Sequence, residues 1–268
     1  MPLASLAMYV SPPPVARATA AFWHALSARL RQAGLDAPEH MDESLRYDQA
    51  WLHPDLLFAQ TCGYPYVRYL RGKVQLVGTP IYTLPGCDGP LMCSFIIVQA
   101  EGPIRTVSDL RDRRAAINER GSNSGYNLFR AFLAPHAGGN PFFSAVLETG
   151  GHRASIDAVA SGQADVAAID CVTFGHIKRF EPERVASLRI LAETAKGPGL
   201  PFITASTTSQ ERLAQLRQTL SETISDPSLA PVCKVLSLSG IARLDDRDYE
   251  ALAEMDKQAA RLGYPAIV

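Results

Sequence analysis

The sequence has no excess of charge of either sign, because its 268 residues include 26 Lys and Arg and 27 Asp and Glu. A chain without a strong net charge has no whole-chain attraction for nucleic acid or for an anionic membrane surface. It also lacks any run of about 18 or more apolar residues, the length that a membrane-spanning helix requires. These absences argue against nucleic acid as a partner and favour a small ligand or a protein partner.

Several chemical motifs are absent as well. The five cysteines are odd in number and none shows CxxC spacing, so we expect no metal site, no cofactor and reduced, partly buried thiols. Cys87 and Cys93 are close enough in sequence to pair, but nothing in the sequence requires it. The phosphate motifs GxxxxGK[ST] and GxGxxG and the nucleophile motif GxSxG do not occur. We therefore expect no catalytic residue.

Apolar patterns of strand type and helix type alternate along the chain. Short apolar runs at residues 55–60 and 115–117 predict buried strands, and an amphipathic stretch at residues 15–30 predicts a helix. Alternation of this kind predicts an α/β fold with mostly parallel sheets and with ligands at the carboxyl ends of strands. A long apolar run at residues 91–100 predicts a crossing into a second domain, and residues 200–205 predict the return.

The stretch Gly121-Ser122-Asn123-Ser124-Gly125 lies between a predicted strand and a predicted helix that begins near residue 128 and stops at Pro135. The first backbone N–H groups of a helix and the positive end of its dipole favour an anion. Ser122 and Ser124 add hydroxyl donors, and Gly125 lets a ligand approach the backbone. The sequence therefore predicts an oxyanion cradle, with a simple serine helix cap as the alternative.

Three segments, in this order, resemble the phosphonate-binding branch of the periplasmic binding proteins, the solute receptors of phosphate, phosphite and phosphonate ABC importers. Residues 55–69 resemble the strand-turn-helix of that family with tyrosines at the turn. Residues 108–133 resemble its Gly-Ser-x-Ser-Gly-Tyr segment. Residues 150–170 resemble its Gly-x-His segment, which continues into Val-Ala-Ser-Gly-x-Ala-Asp-Val-Ala-Ala-Ile-Asp.

The resemblance implies a periplasmic-binding-protein fold of type 2. In it, two α/β lobes with mostly parallel sheets flanked by helices are joined by two crossing strands, and hinge closure traps the ligand without chemistry. Lobe 1 would comprise residues 1–96 and 203–268, and lobe 2, with the oxyanion cradle, residues 97–202.

The same resemblance implies a set of ligand-binding residues. His152 would donate a ring N–H to the phosphoryl group, and Asp170 would face a ligand ammonium or sense a proton on the oxyacid. The full implied set is Tyr9, Tyr64, Ser122, Asn123, Ser124, the amides of Gly125 and Tyr126, His152 and Asp170. Four of these residues have a structural alternative: His152 bonded to a carbonyl, Asp170 as a helix cap, and Tyr9 and Tyr64 as core aromatics.

The implied function is capture of a small phosphorus oxyanion by a monomer that delivers it to the permease of an ABC importer. Phosphonate, phosphate and phosphite all remain open as ligands. The alternative is a cytoplasmic enzyme or sensor of the same fold that acts on a small organic acid, as in menaquinone or thiamine-precursor pathways. Residues 1–10 lack a basic leader and a long apolar segment, so no signal peptide is expected there. This predicts a cytoplasmic protein if Met1 is the native start and a periplasmic one if a leader was removed.

Overall fold

The computed structural model describes residues 1–268, and contacts between residues divide the chain into two compact units. Unit 1 consists of Met1–Thr83, Asp88–Pro90 and Pro198–Tyr249. Unit 2 consists of Leu84–Cys87, Leu91–Gly197 and Glu250–Val268. Each unit is therefore assembled from three separate segments of the chain.

Strands and helices alternate through most of the chain, as the apolar pattern predicts. The strands are β1 (Leu3–Ser5), β2 (Leu56–Gln60), β3 (Val74–Tyr82), β4 (Cys87–Asp88), β5 (Leu91–Met92), β6 (Ser94–Gln99), β7 (Arg114–Ile117), β8 (Ala145–Glu148), β9 (Val166–Asp170), β10 (Leu188–Glu193), β11 (Gly197–Pro198), β12 (Phe202–Ala205) and β13 (Leu238–Ala242). The α-helices are α1 (Pro13–Gln32), α2 (Tyr47–Trp51), α3 (Gly63–Pro65), α4 (Leu128–Ala137), α5 (His152–Ala160), α6 (Cys171–Phe180), α7 (Gln210–Ser225), α8 (Ala230–Leu236) and α9 (Asp246–Arg261). Two π-helical turns occupy Tyr66–Leu70 and Asn123–Asn127, and short 3-10 turns occupy Val107–Leu110, Pro182–Val185 and Pro227–Leu229. None of the helices has the length and apolar character that crossing a membrane requires.

The sheet of unit 1 has the strand order β1-β2-β12-β3-β13. Strands β1 and β2 pair in parallel, whereas β12 pairs antiparallel with β2 and β3, and β13 pairs antiparallel with β3. The sheet is therefore mixed, with β1, β2 and β3 running in one direction and β12 and β13 in the other.

The sheet of unit 2 has the order β10-β6-β9-β7-β8. Strand β7 pairs in parallel with β8 and β9, and β6 pairs antiparallel with β9 and β10. Only β6 runs against the other four strands. The expected α/β architecture is confirmed, and antiparallel pairs occur where β6 in this sheet, and β12 and β13 in the sheet of unit 1, run against their neighbours.

Residues 250–268 belong to unit 2, whereas the sequence analysis placed them in lobe 1. The reason is a buried ion pair, in which Arg130 of α4, 2% exposed, binds Asp256 of α9. The same guanidinium donates a hydrogen bond of 2.7 Å to the carbonyl oxygen of Pro265. Apolar side chains of this last segment, among them Tyr264 and Ile267, complete the core of unit 2.

The ion pair between Arg130 and Asp256 yields a prediction for stability. Asp256→Asn leaves the buried guanidinium without its counter-ion, and we expect the free energy of unfolding to fall by about 3 kcal/mol. Chemical denaturation followed by circular dichroism measures this change. The matched control is Glu254→Gln, because Glu254 lies on the same helix and pairs with Arg261 at the surface; there we expect a change below about 1 kcal/mol. Equal losses for the two variants would contradict the role given to the buried pair.

Candidate functional site

The predicted site residues of unit 2 come together at one edge of its sheet. Strands β7, β8 and β9 are parallel, so their carboxyl ends, Ile117, Glu148 and Asp170, meet at the same edge. The cradle follows β7, His152 follows β8 and Asp170 ends β9. The topology therefore places three segments that are distant in sequence at one location, where ligands bind in open α/β sheets.

The cradle is the π-helical turn Asn123–Asn127, which leads directly into α4. Ser122 caps this turn, because its Oγ accepts a hydrogen bond of 3.0 Å from the Gly125 amide. The first bond along the turn runs from the Asn127 amide to the Ser122 carbonyl at 3.1 Å. The cap predicted as an alternative for Ser122 is thus present, and the Gly125 amide is engaged within the protein. The amides of Asn123, Ser124 and Tyr126 precede the first bond of the turn, and their contact with an anion stays a prediction.

Ser124 and His152 form the central contact of the site. Their Oγ and Nε2 atoms lie 2.8 Å apart, and the Asp170 amide approaches Nδ1 of the same imidazole at 3.4 Å. Burial lowers the pKa of His152 to about 3, partly opposed by a hydrogen bond with the Ala168 backbone. The imidazole is therefore neutral near pH 7, and one of its nitrogens carries a proton that it can donate.

Asp170 is 2% exposed and caps α6, since its Oδ1 accepts a hydrogen bond of 2.8 Å from the Thr173 amide. The capping alternative is therefore present for this residue too. A cap uses one carboxylate oxygen and does not prevent the carboxylate from acting on a ligand.

The structure also shows what the other predicted cradle residues do. Asn123 is buried, and its Oδ1 accepts a hydrogen bond of 3.3 Å from Asn127 Nδ2. The ring of Tyr126 packs in the core of unit 2, where its hydroxyl oxygen accepts a bond of 3.4 Å from the Ile267 amide. The side chain of Tyr126 is therefore part of the core, and contact of its amide with a ligand stays a prediction.

Sequence reasoning missed Ser94, which holds the cradle in place through a hydrogen bond to its backbone. Ser94 begins β6 and pairs with Asp170 of β9, and its Oγ donates a hydrogen bond of 2.9 Å to the Ser124 carbonyl. Its own amide donates to Thr194 Oγ1 at 2.9 Å. Only the reversed direction of β6 brings Ser94 to this edge, and nothing in the local sequence signals that direction.

Tyr9 and Tyr64 belong to unit 1. Both follow paired strands, because β1 and β2 are parallel and end at the same edge of the unit 1 sheet. Tyr9 lies four residues beyond β1 rather than at its end, and its ring packs edge-on against Tyr82 at 5.7 Å between centroids. Tyr64 lies in α3 beneath the guanidinium of Arg68, 5.7 Å from the ring centroid. Both rings are buried, and their contact with a ligand stays a prediction.

Residues 21–249 match the sequence profile of the periplasmic substrate-binding proteins of phosphonate ABC transporters. The chain belongs to this family. Members of this family bind a solute for an ABC importer and are not enzymes. Comparison with curated protein sequences gave no significant match.

Solved structures of low sequence identity share the fold of this phosphonate-binding family member. A binding component of an ABC phosphonate transporter from Pseudomonas aeruginosa gives a TM-score of 0.75 at 16% identity, over 95% of this chain and 85% of that chain. PhnD1 from Prochlorococcus marinus, solved with methylphosphonate, gives 0.71 at 14% identity, over 92% and 94%. A Xanthomonas citri protein solved with ATP gives 0.67 at 20% identity, over 91% and 95%. These likenesses establish the two-lobed fold of type 2 periplasmic binding proteins.

The close packing around Gly125 gives a prediction for the stability of this phosphonate-binding family member. A Cβ atom at residue 125 would lie 2.6 Å from Asn118 Cγ, whose side chain is held by a hydrogen bond from Ser155. Gly125→Ala should therefore lower the free energy of unfolding by about 1–3 kcal/mol through overpacking. Gly121→Ala is the matched control, because no atom lies within 4 Å of a Cβ there. Denaturant unfolding of both variants tests the prediction, which fails if Gly125→Ala is no less stable than Gly121→Ala.

The lowered pKa of His152 predicts a pH dependence of stability. In the unfolded chain His152 becomes protonated near its ordinary pKa of 6.5, whereas in the folded protein it becomes protonated only at about pH 3. Between these values the unfolded state binds more protons, so the free energy of unfolding falls as the pH is lowered from 6.5 toward 3. His152→Gln removes this contribution. We expect the difference in unfolding free energy between pH 7 and pH 5 to be smaller in the variant; an unchanged difference would show that the imidazole is not desolvated in the fold.

Proposed function

We propose that the cradle of unit 2 binds the phosphoryl group of a small phosphorus oxyanion that the protein carries for an ABC importer. The observation that supports this most directly is the 2.8 Å contact between Ser124 Oγ and His152 Nε2. It sits beside the amides of a helical turn that precede the first bond of that turn. Hydroxyl, imidazole and amide donors thus converge where the strands of the sheet end.

The donors of this cradle are neutral, which suits a ligand that supplies all of the negative charge itself. Hydrogen bonds in which the acceptor is ionised are about twice as strong as bonds between neutral groups. Ser124 and His152 satisfy each other in the structure, and a phosphoryl oxygen would take over these bonds. The cradle therefore needs neither a metal ion nor a bidentate arginine to hold the anion.

We propose that Asp170 is the residue that recognises the substituent or the proton carried by the phosphorus oxyanion. Asp170 is buried, its amide lies next to the imidazole, and its carboxylate uses Oδ1 to cap α6. A ligand with an ammonium group would bring a counter-charge to this carboxylate, whereas a monoprotonated oxyacid would bring a proton. We further propose that Tyr9 and Tyr64 of unit 1 contact the ligand, which is an expectation from the resemblance.

Members of this family are periplasmic proteins that work with the permease of an ABC importer. We propose the same partner for this chain, and a monomeric state that does not bind nucleic acid. The near balance of 26 basic and 27 acidic residues supports the last point.

Calorimetric titration of the ligand-stripped chain tests the ligand class and the cradle together. The panel contains phosphate, phosphite, methylphosphonate, 2-aminoethylphosphonate and ATP, with sulfate and acetate as controls. We expect binding in the micromolar range or tighter for one or more of the phosphorus compounds and none for the controls. A preference for the amino compound would place Asp170 at its ammonium. Absence of binding to every phosphorus compound would overturn the ligand class.

Ser124→Ala removes one donor to a charged group and should weaken binding of the preferred ligand by about 1.5–3 kcal/mol. Ser144→Ala is the matched control, since Ser144 bonds only the Arg113 carbonyl on the surface of the same unit. The control should bind as the unaltered chain does. Full affinity in Ser124→Ala, with the ligand class upheld, would show that the anion binds elsewhere.

A further inference from the structure

Three of the five cysteines lie together in unit 2, in a cluster that the proposed ligand site does not use. The sulfur atoms of Cys87 and Cys171 are 3.6 Å apart. Cys93 is their neighbour, because its carbonyl accepts a hydrogen bond of 3.2 Å from the Cys171 amide. The sequence analysis considered only the pair Cys87 and Cys93, whose separation along the chain is short. The fold instead places Cys171, which is 84 residues away, against Cys87.

Gly86 makes this close approach possible. Its φ of +89° lies in the left-handed region that favours glycine. A Cβ atom at residue 86 would lie 2.7 Å from Cys171 Cβ and 3.0 Å from Cys93 Sγ. Any other residue would therefore force the segment that carries Cys87 away from the other two cysteines.

The two facing thiols differ in their surroundings. Cys87 is partly exposed, whereas Cys171 is buried at the start of α6. The pKa of the Cys87 thiol is lowered, mainly by its hydrogen bond with the Cys171 thiol, and the pKa of Cys171 is raised, mainly by the same bond. Such an arrangement provides an accessible sulfur that reacts first and a buried sulfur that reacts second.

We propose that Cys87 and Cys171 are a redox-active pair that forms a reversible disulfide by exchange with a low-molecular-weight disulfide. The Cys87 thiolate attacks one sulfur of the reagent, forms a mixed disulfide and releases the first reagent thiolate. The Cys171 sulfur then attacks Cys87, the bond between Cys87 and the reagent sulfur breaks, and the Cys171 proton passes to the departing reagent thiolate, which leaves as the second thiol. The two cysteines are oxidised together, and the reagent is reduced to two thiols.

The distance and the compartment both support this pairing. A disulfide needs a sulfur separation of about 2.05 Å, so sulfur atoms already in contact have to move together by only about 1.5 Å. Phosphonate-binding proteins of this family work in the periplasm, where disulfides form and persist.

Thiol counting in the full chain tests the proposal. The reduced protein is incubated with oxidised glutathione, then unfolded and labelled with a maleimide that adds mass. We expect five labelled cysteines before oxidation and three after it, with full recovery after dithiothreitol. Peptide mapping without reduction should yield one linked pair of peptides, containing Cys87 and Cys171. Five labelled cysteines after oxidation, or a link that contains Cys93, would overturn the proposal.

Variants separate the two roles. In a Cys93→Ser background, Cys87→Ser and Cys171→Ser should each abolish the loss of two thiols, whereas Cys233→Ser, at a buried cysteine of unit 1, should still lose two. In the double variant Cys93→Ser with Cys171→Ser, no neighbouring thiol can complete the exchange. A glutathione adduct should then accumulate on Cys87, and its appearance on another cysteine instead would contradict the order of attack. Peptide mapping of the unaltered chain decides the pairing even if a variant does not fold.

Discussion

The contact between Ser124 and His152 depends on one constraint, which is that β7, β8 and β9 run in the same direction side by side. Parallel strands end at a common edge, so whatever follows each of them is delivered to the same place. In unit 2 the segments that meet there are the helical turn of the cradle, the glycine loop that ends at His152, and Asp170, which ends β9 and caps α6. None of these segments alone brings the Ser124 hydroxyl, the amides of the turn and the imidazole together. The sheet turns three short local patterns into one set of donors around a neutral imidazole.

The positions of many strands and helices were predictable, because the apolar patterns of the sequence were strong and agreed with each other. The strands β2 and β7 and the helix α1 lie where the apolar patterns at residues 55–60, 115–117 and 15–30 indicate. The cradle lies at a strand-to-helix turn for the same reason. Pro135 is an exception, because α4 continues through it to Ala137 and ends at Gly138, whose φ is 63°. A proline close to the end of a helix removes few hydrogen bonds, whereas a left-handed glycine gives the chain its change of direction.

What the sequence did not reveal depends on contacts between distant segments. An apolar run has the same pattern in either strand direction, so the reversal of β6 and the support that Ser94 gives to the cradle could not be read from it. The partnership of Cys87 with Cys171 was missed for the same reason. Residues 250–268 join unit 2 through the buried guanidinium of Arg130 and through apolar side chains such as Tyr264 and Ile267, and neither contact can be read from a linear pattern.

The segment formed by residues 250–268 affects the order in which unit 2 folds. The amides of Phe142 and Phe143 donate to the carbonyl of Val268, and Tyr264 and Ile267 fill the core around them. During synthesis, the strands and helices of unit 2 emerge well before these residues do. The growing chain therefore carries an open apolar core and an unpaired Arg130 until residues 256–268 leave the ribosome, and such exposed apolar surface is prone to aggregation. Because these pairings join residues far apart in the sequence, the core of unit 2 closes late and slowly compared with a helical domain of similar size.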